Sequence, residues 1–340
     1  MLITERDAVL AVYAGAAERG WVVPCFCAEN PTTIEAILAA VREHGERIGV
    51  ADPPVTLAMT VNYPARQQAR RYTRTGRWDL GLRLFLADLR ELAGPASPFA
   101  RLRVLVHLDH VQPREDADLL SGDLSAFSSI MFDASHETFD ENIRLTRRFV
   151  GERRREIVIE GACDEIFSAG APANELTSPE KAARFAEETG ADFLVANLGT
   201  EHRAGAAERA YRGDAARAVR NAVGPRLVLH GCSSVPPDRV ARLFDDGIRK
   251  VNLWTALERD STPLLFERML REAARLVGPR KAEEFRAAGL LGEAADRTSA
   301  AALERFTAAW RQEVVFDAMK EIAGRYVRLW FAPADGTVNP

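Results

Sequence analysis

The sequence predicts an α/β chain folded as a closed (β/α)8 TIM barrel. Short β-branched apolar runs alternate with helix-like segments about eight times, and histidines stand at or just past the ends of several of those runs. Continuously apolar strands are buried on both faces, which calls for a parallel sheet covered on its outside by helices. The 340 residues suit one such barrel with appendages.

The elements follow in order. After an amphipathic first helix, WVVPCF (21–26) reads as the first strand. Asparagine before proline is a good helix start, so Asn30-Pro31-Thr32-Thr33 opens a helix through IEAILAAVREHG. VTLAMTV (55–61) is the second strand, WDLGLRLFLADLRELAG (78–94) a helix, and RVLVHLDH (103–110) the third strand. SSIMFDAS (128–135), EIVIEGA (156–162), FLVANLG (193–199), RLVLHG (226–231) and KVNLWT (250–255) complete the eight. FDENIRLTRRFVGERR, SPEKAARFAEETG and PPDRVARLFDDG lie between them as helices, the last two ending in a glycine suited to a left-handed cap.

Two segments depart from the plain repeat. YPARQQARRYTRTGR (63–77) is a long connection after the second strand, over the face where barrel chemistry happens, and suits a lid or a substrate contact. Beyond a barrel of residues 1–261, residues 262–340 form a helical extension that includes FERMLREAARLVG and ALERFTAAWRQEVVFDAMKEIAGRYVRLWF. Its apolar excess packs either on the flank of the same barrel or on a neighbouring subunit, and a homo-oligomer is expected.

Composition narrows the function. A net charge of -4 offers no basic surface for nucleic acid, and the RRYTR run at 70–74 is a local, solvated patch. Cys25, Cys27, Cys163 and Cys232 lack zinc-finger or redox spacing, which fits reduced thiols. Acids interrupt the apolar N-terminal stretch, and no apolar run approaches the ~18 residues of a membrane helix. A soluble, cytoplasmic protein with no membrane partner is expected.

Of six histidines, only His44 lies in an ordinary helical position; His107, His110, His136, His202 and His230 lie at or just beyond strand ends. Polar residues at the C-terminal ends of barrel strands read as catalytic. His110, His202 and His230, from three separate strands, predict a divalent metal held by neutral imidazoles with a position open to substrate oxygens. Three imidazoles accept zinc, cobalt, manganese or iron. Asp109, one residue from a ligand, cannot easily share that metal; it is expected to point elsewhere in the cavity and exchange a proton with a substrate hydroxyl.

A buried carboxylate at Glu160 needs a cation or a donor, so it either supports the metal or pairs with an arginine. Asp164 and Glu165 follow in a loop with Gly161, Gly170 and Pro172, and Glu165 is taken as a moving acid or base, with a solvated loop acid as the alternative. The turn HGCSSV (230–235) is suited to cradling an oxyanion or phosphate. Asn252 points either to substrate or to a neighbouring backbone.

Together these motifs resemble the class II, metal-dependent fructose-bisphosphate and tagatose-bisphosphate aldolases over roughly residues 20–260. PCFCAEN is similar to the family's PAFN motif, VHLDH to H-x-D-H, LVLHGCSS to the H-G-G-S-G turn and KVNLWT to K-x-N-x-x-T. SSIMFDASH, FDENIRLT and TSPEKAARFAEETGADFLVANLGTEH resemble the intervening segments. The resemblance implies His110, His202 and His230 as ligands of a metal, normally Zn2+. It implies Asp109 as the residue that takes the proton from the C4 hydroxyl in cleavage and returns it in condensation. Gly231, Ser233, Asn252 and Thr255 match positions around a sugar or sugar phosphate substrate, held as an enediolate on the metal.

The departures gather at the substrate. Arg203 stands where the family has a small residue, the turn is Gly231-Cys232-Ser233-Ser234, Trp254 replaces an acid or amide, and Glu160-Gly161-Ala162 lacks the second glutamate of E-x-E-L-G. Arg203 either fills a phosphate pocket or replaces backbone donors with a guanidinium fork. The expected function is an aldolase, a lyase acting on a C–C bond next to the ketone of a phosphorylated or otherwise anionic ketose. A metal-dependent ketose isomerase or epimerase is the alternative; a non-catalytic barrel subunit would be expected to lose the ligands that are retained here.

Overall fold

The computed structural model of the chain describes residues 1–64, 66–166, 175–201 and 211–331. Eight strands close into a barrel in chain order: β1 (Val23–Cys27), β2 (Pro54–Met59), β3 (Arg103–Val111), β4 (Ser129–Phe132), β5 (Val158–Ala162), β6 (Phe193–Val195), β7 (Leu227–Leu229) and β8 (Ile248–Leu253). Every neighbouring pair is parallel and β8 returns to β1, with Cys25 opposite Asn252. Each predicted strand has its counterpart. β6 and β7 stop after three residues because the chain turns polar there, towards Asn197 and His230.

Local chemistry explains several helix ends. Asn30 accepts the backbone N–H of Thr33 at 2.9 Å and Pro31 opens the helix Pro31–Arg47. Ser178 caps Pro179–Thr189, which ends on left-handed Gly190. The helix expected over PPDRVARLFDDG forms only at Pro237–Val240. After it the backbone continues in successive turns, with Arg242 N–H to Arg239 and Asp245 N–H to Arg242 bonds spaced three residues apart.

The long helix of the extension, Ala308–Trp330, buries Val314, Ala318, Ile322 and Val327 against the helices Pro31–Arg47 and Thr255–Arg271. Trp330 Nε1 donates to the Val240 carbonyl at 2.9 Å, and His44 Nε2 lies 3.0 Å from the Phe331 carbonyl oxygen. This part of the extension therefore lies on the flank of its own barrel. Among the described residues no helix is long and apolar enough to cross a membrane, and the four cysteines are buried and unbridged.

Candidate active site

β3 ends in His107-Leu108-Asp109-His110. Strand alternation sends His107 and Asp109 to the same side, and both are buried, with His107 Nε2 3.8 Å from Asp109 Oδ1. Continued alternation would send His110 to the other side. Instead His110 has a φ of 49°, alone among the described non-glycine residues in being positive, and the β3–β4 register shifts between Leu108 and Val111. This backbone kink brings the two neighbours together. One carboxylate oxygen of Asp109 and one ring nitrogen each from His110 and His230 lie within 4.8 Å of one another, all buried. Asp109, expected to point elsewhere in the cavity, thus has its carboxylate beside the two imidazoles. A left-handed residue carrying a Cβ costs on the order of 1–3 kcal/mol and persists where its surroundings hold it.

Those surroundings are visible. His110 Nδ1 lies 2.7 Å from Asp133 Oδ2, and Tyr63 stacks on the imidazole at 4.4 Å between ring centroids. Burial would raise the pKa of Asp133, but the hydrogen bonds from His110 and from the Ser135 hydroxyl at 2.6 Å outweigh it and hold the carboxyl at about 2. An ionised Asp133 makes Nδ1 the donor, so the lone pair sits on Nε2, the arrangement of a metal-ligating histidine.

His230 follows β7 and is turned by Gly231, whose φ is 68°. A Cβ there would lie 2.7 Å from the Glu201 carbonyl oxygen, so only glycine fits. Ser234 Oγ donates to the Gly231 carbonyl at 2.8 Å and accepts the Glu201 N–H at 3.0 Å, so this hydroxyl is spent on the turn. Ser233 Oγ is buried without a partner and lines the cavity.

Asp109 is clamped from three sides. Asn252 Nδ2 donates to Oδ1 at 2.8 Å, and Oδ2 receives Arg66 Nη2 and, at 3.5 Å, the Cys27 thiol. Burial works against its charge, yet His110, Arg66 and His230 overcome that and hold the carboxyl well below the usual range. Burial raises the Cys27 thiol well above its ordinary value, which keeps it a protonated donor.

The donor set, two buried imidazoles and a carboxylate converging at the C-terminal end of the strands, fits a divalent cation. The family model of class-II fructose-bisphosphate aldolase matches residues 7–313. The chain belongs to this family. Its members are aldolases, carbon–carbon lyases that generally depend on a divalent metal. The fold is similar to that of the YdjI aldolase from Escherichia coli K12, with a TM-score of 0.64 and 20% identity over 100% of both chains. It is also similar to the fructose-bisphosphate aldolase from Campylobacter jejuni, with a TM-score of 0.70 and 16% identity over 94% of this chain and 93% of that one.

In this aldolase one cavity is lined by Asp109, His110 and His230 together with Gly231, Ser233, Asn252 and Thr255. His202 and Arg203 lie outside the described residues. Glu165 is exposed and does not line the cavity. Glu160 meets its need for a cation through a lysine in place of the expected arginine: Lys250 Nζ donates to Oε1 at 2.6 Å, both residues fully buried. His107 Nε2 lies 3.6 Å from the other carboxylate oxygen, while burial and the Lys250 charge push its pKa well down and keep it neutral.

Sequence reasoning missed Arg66, Tyr63, Asp133 and Lys250. The signals were present but coarse: the length of the 63–77 connection over the catalytic face, an aspartate closing an apolar strand, and a lysine opening one.

Proposed function

We propose that this aldolase holds Zn2+ through His110 and His230, with His202 as the third ligand, and that Asp109 is its proton carrier. The observation that carries this reading is the convergence of Asp109, His110 and His230 within 4.8 Å at the catalytic end of the barrel. A bound zinc ion would act there as a Lewis acid that polarises the ketone of the substrate. Asp109, held ionised, accepts the proton of the hydroxyl two carbons from the ketone. The bond between that hydroxyl-bearing carbon and the carbon beside the ketone breaks, the hydroxyl-bearing carbon leaves as an aldehyde, and the bonding electron pair stays on the carbon beside the ketone. In condensation Asp109 returns the proton to the new hydroxyl.

Asn252 fixes the carboxylate, while Gly231, Ser233 and Thr255, with Arg203, form the binding surface for a phosphorylated or otherwise anionic ketose. Glu165 is given no role in this reading. Exposed Phe266, Leu290, Leu303 and Phe306 on the extension support self-association, and the buried free thiols support a cytoplasmic location.

The test is aldehyde release from a panel of ketose phosphates, with and without a chelator. Release should stop on chelation, and Asp109→Ala should lower turnover by about 10²–10⁴-fold or more while the metal stays bound. Proton exchange from deuterated water without any aldehyde would favour the isomerase reading, and full activity of metal-free protein would end the present one.

A further inference from the structure

We propose that Arg66 is the residue by which this aldolase recognises an oxyanion substituent, phosphate or carboxylate, of its substrate; the role rests on the aldolase reading above. Arg66 comes from the connection after β2, and its side chain is only 12% exposed while lining the cavity with His230, Ser233 and Asn252. It is fixed before any ligand arrives. Its backbone carbonyl accepts the Thr60 hydroxyl, Nη2 donates to Asp109, and the guanidinium carbon lies 5.1 Å from the centroid of the Trp254 ring. Trp254 is itself held, its Nε1 donating to Glu29 Oε1 at 2.8 Å. Stacking on one face and pairing at one nitrogen leave a preorganised fork with in-plane donors to spare.

Those donors are unmatched. Arg66 Nε is buried without a partner, as is Ser233 Oγ on the same cavity. Buried donors are normally satisfied, and a group that bears several acceptor oxygens satisfies both at once. Asn252 Oδ1, also buried without a partner on this cavity, is an acceptor suited to a sugar hydroxyl. On the turn after His230 the Ser234 hydroxyl is spent internally and Cys232 has no hydroxyl, so the guanidinium adds donors beside the Ser233 hydroxyl. Were Arg66 present only to orient Asp109, Nη2 would suffice and Nε would have no function.

The experiment uses full-length protein loaded with Co2+, whose visible spectrum reports the ligand set independently of turnover. Inorganic phosphate and acetate are titrated calorimetrically into wild type, Arg66→Gln and Arg66→Lys, each checked by thermal unfolding. We expect Arg66→Gln to weaken binding of the favoured anion at least tenfold with an unchanged cobalt spectrum, and Arg66→Lys to recover part of it. The anion that responds identifies the source of the oxyanion. We also expect the ratio of kcat/KM for charged over uncharged ketoses to fall at least tenfold in Arg66→Gln. Wild type that binds neither anion, equal binding by wild type and Arg66→Gln, or an equal loss of kcat/KM for both ketose classes overturns the proposal, the last showing that Arg66 acts only through Asp109. Absence of aldehyde release from any ketose defeats the aldolase reading, while the anion titration still decides the role of Arg66.

Discussion

Two groups of buried polar side chains meet at His107 and differ in how their charges are met. Below, Lys250 and Glu160 neutralise each other at 2.6 Å and His107 Nδ1 lies 2.8 Å from the Ser129 hydroxyl, with no exposure to solvent. Above, Asp109, His110 and His230 converge on one point, and Arg66 Nε, Ser233 Oγ and Asn252 Oδ1 face the cavity without partners. The lower group answers its charges internally, although His107 Nε2 and Glu160 Oε2 also lack hydrogen-bond partners; the upper group gathers its donors and acceptors around an open cavity. Burying charge is tolerable only when it is compensated, so the difference separates structural polar residues from ligand-binding ones although both sit in one barrel.

The sharpest way to break this contrast is Lys250→Met. It leaves Glu160 as an unpaired buried carboxylate and should destabilise the fold by about 3–5 kcal/mol in denaturant unfolding, with Glu160→Leu in the same chain restoring most of the loss. A small loss, or loss of metal in place of stability, would move the lower pair into the working site. Asp133→Ala tests the upper group from behind. Without the carboxylate that orients His110, metal affinity should fall about 10–100-fold in a chelator competition while the protein stays folded; unchanged affinity would mean that His110 is not a ligand.

The smallest effect is at Glu258, in the first turn of the helix Thr255–Arg271. Burial, then the charge of Glu29, push its carboxyl up to about 7 from 4.5. A folded-state pKa raised in this way favours the protonated fold: the contribution is complete below pH 4.5 and is lost as pH rises through about 7. Urea unfolding at pH 5 and pH 8 should therefore show a decline in stability that Glu258→Gln removes, on the order of 1–2 kcal/mol. A variant with the same decline as wild type would assign it to other groups.

The barrel was legible in the sequence because its signals are local: apolar runs, capping residues such as Asn30 and Ser178, and polar residues placed at strand ends. The same locality made His110 and His230 legible as candidate ligands, with Asp109 beside them as the candidate proton carrier. It failed where geometry is set across the barrel. Strand alternation separates Asp109 from His110, and only the left-handed backbone of His110 reunites them. Arg66 reaches Asp109 from 43 residues away and Lys250 reaches Glu160 from 90, contacts that no spacing rule encodes. The helix expected over 236–247 carried a good apolar pattern, yet after Pro237–Val240 the backbone took three-residue turns.

The central claim is that the upper group is a metal site with its proton carrier beside it. Elemental analysis of the purified full-length protein, with His110→Ala and His230→Ala treated alike, tests it most directly when paired with aldehyde release from each sample. About one divalent ion per chain in the wild type, lost in both variants together with turnover, is the predicted result. Aldehyde release at the wild-type rate from metal-free protein, or metal retained in full by both variants, would contradict it.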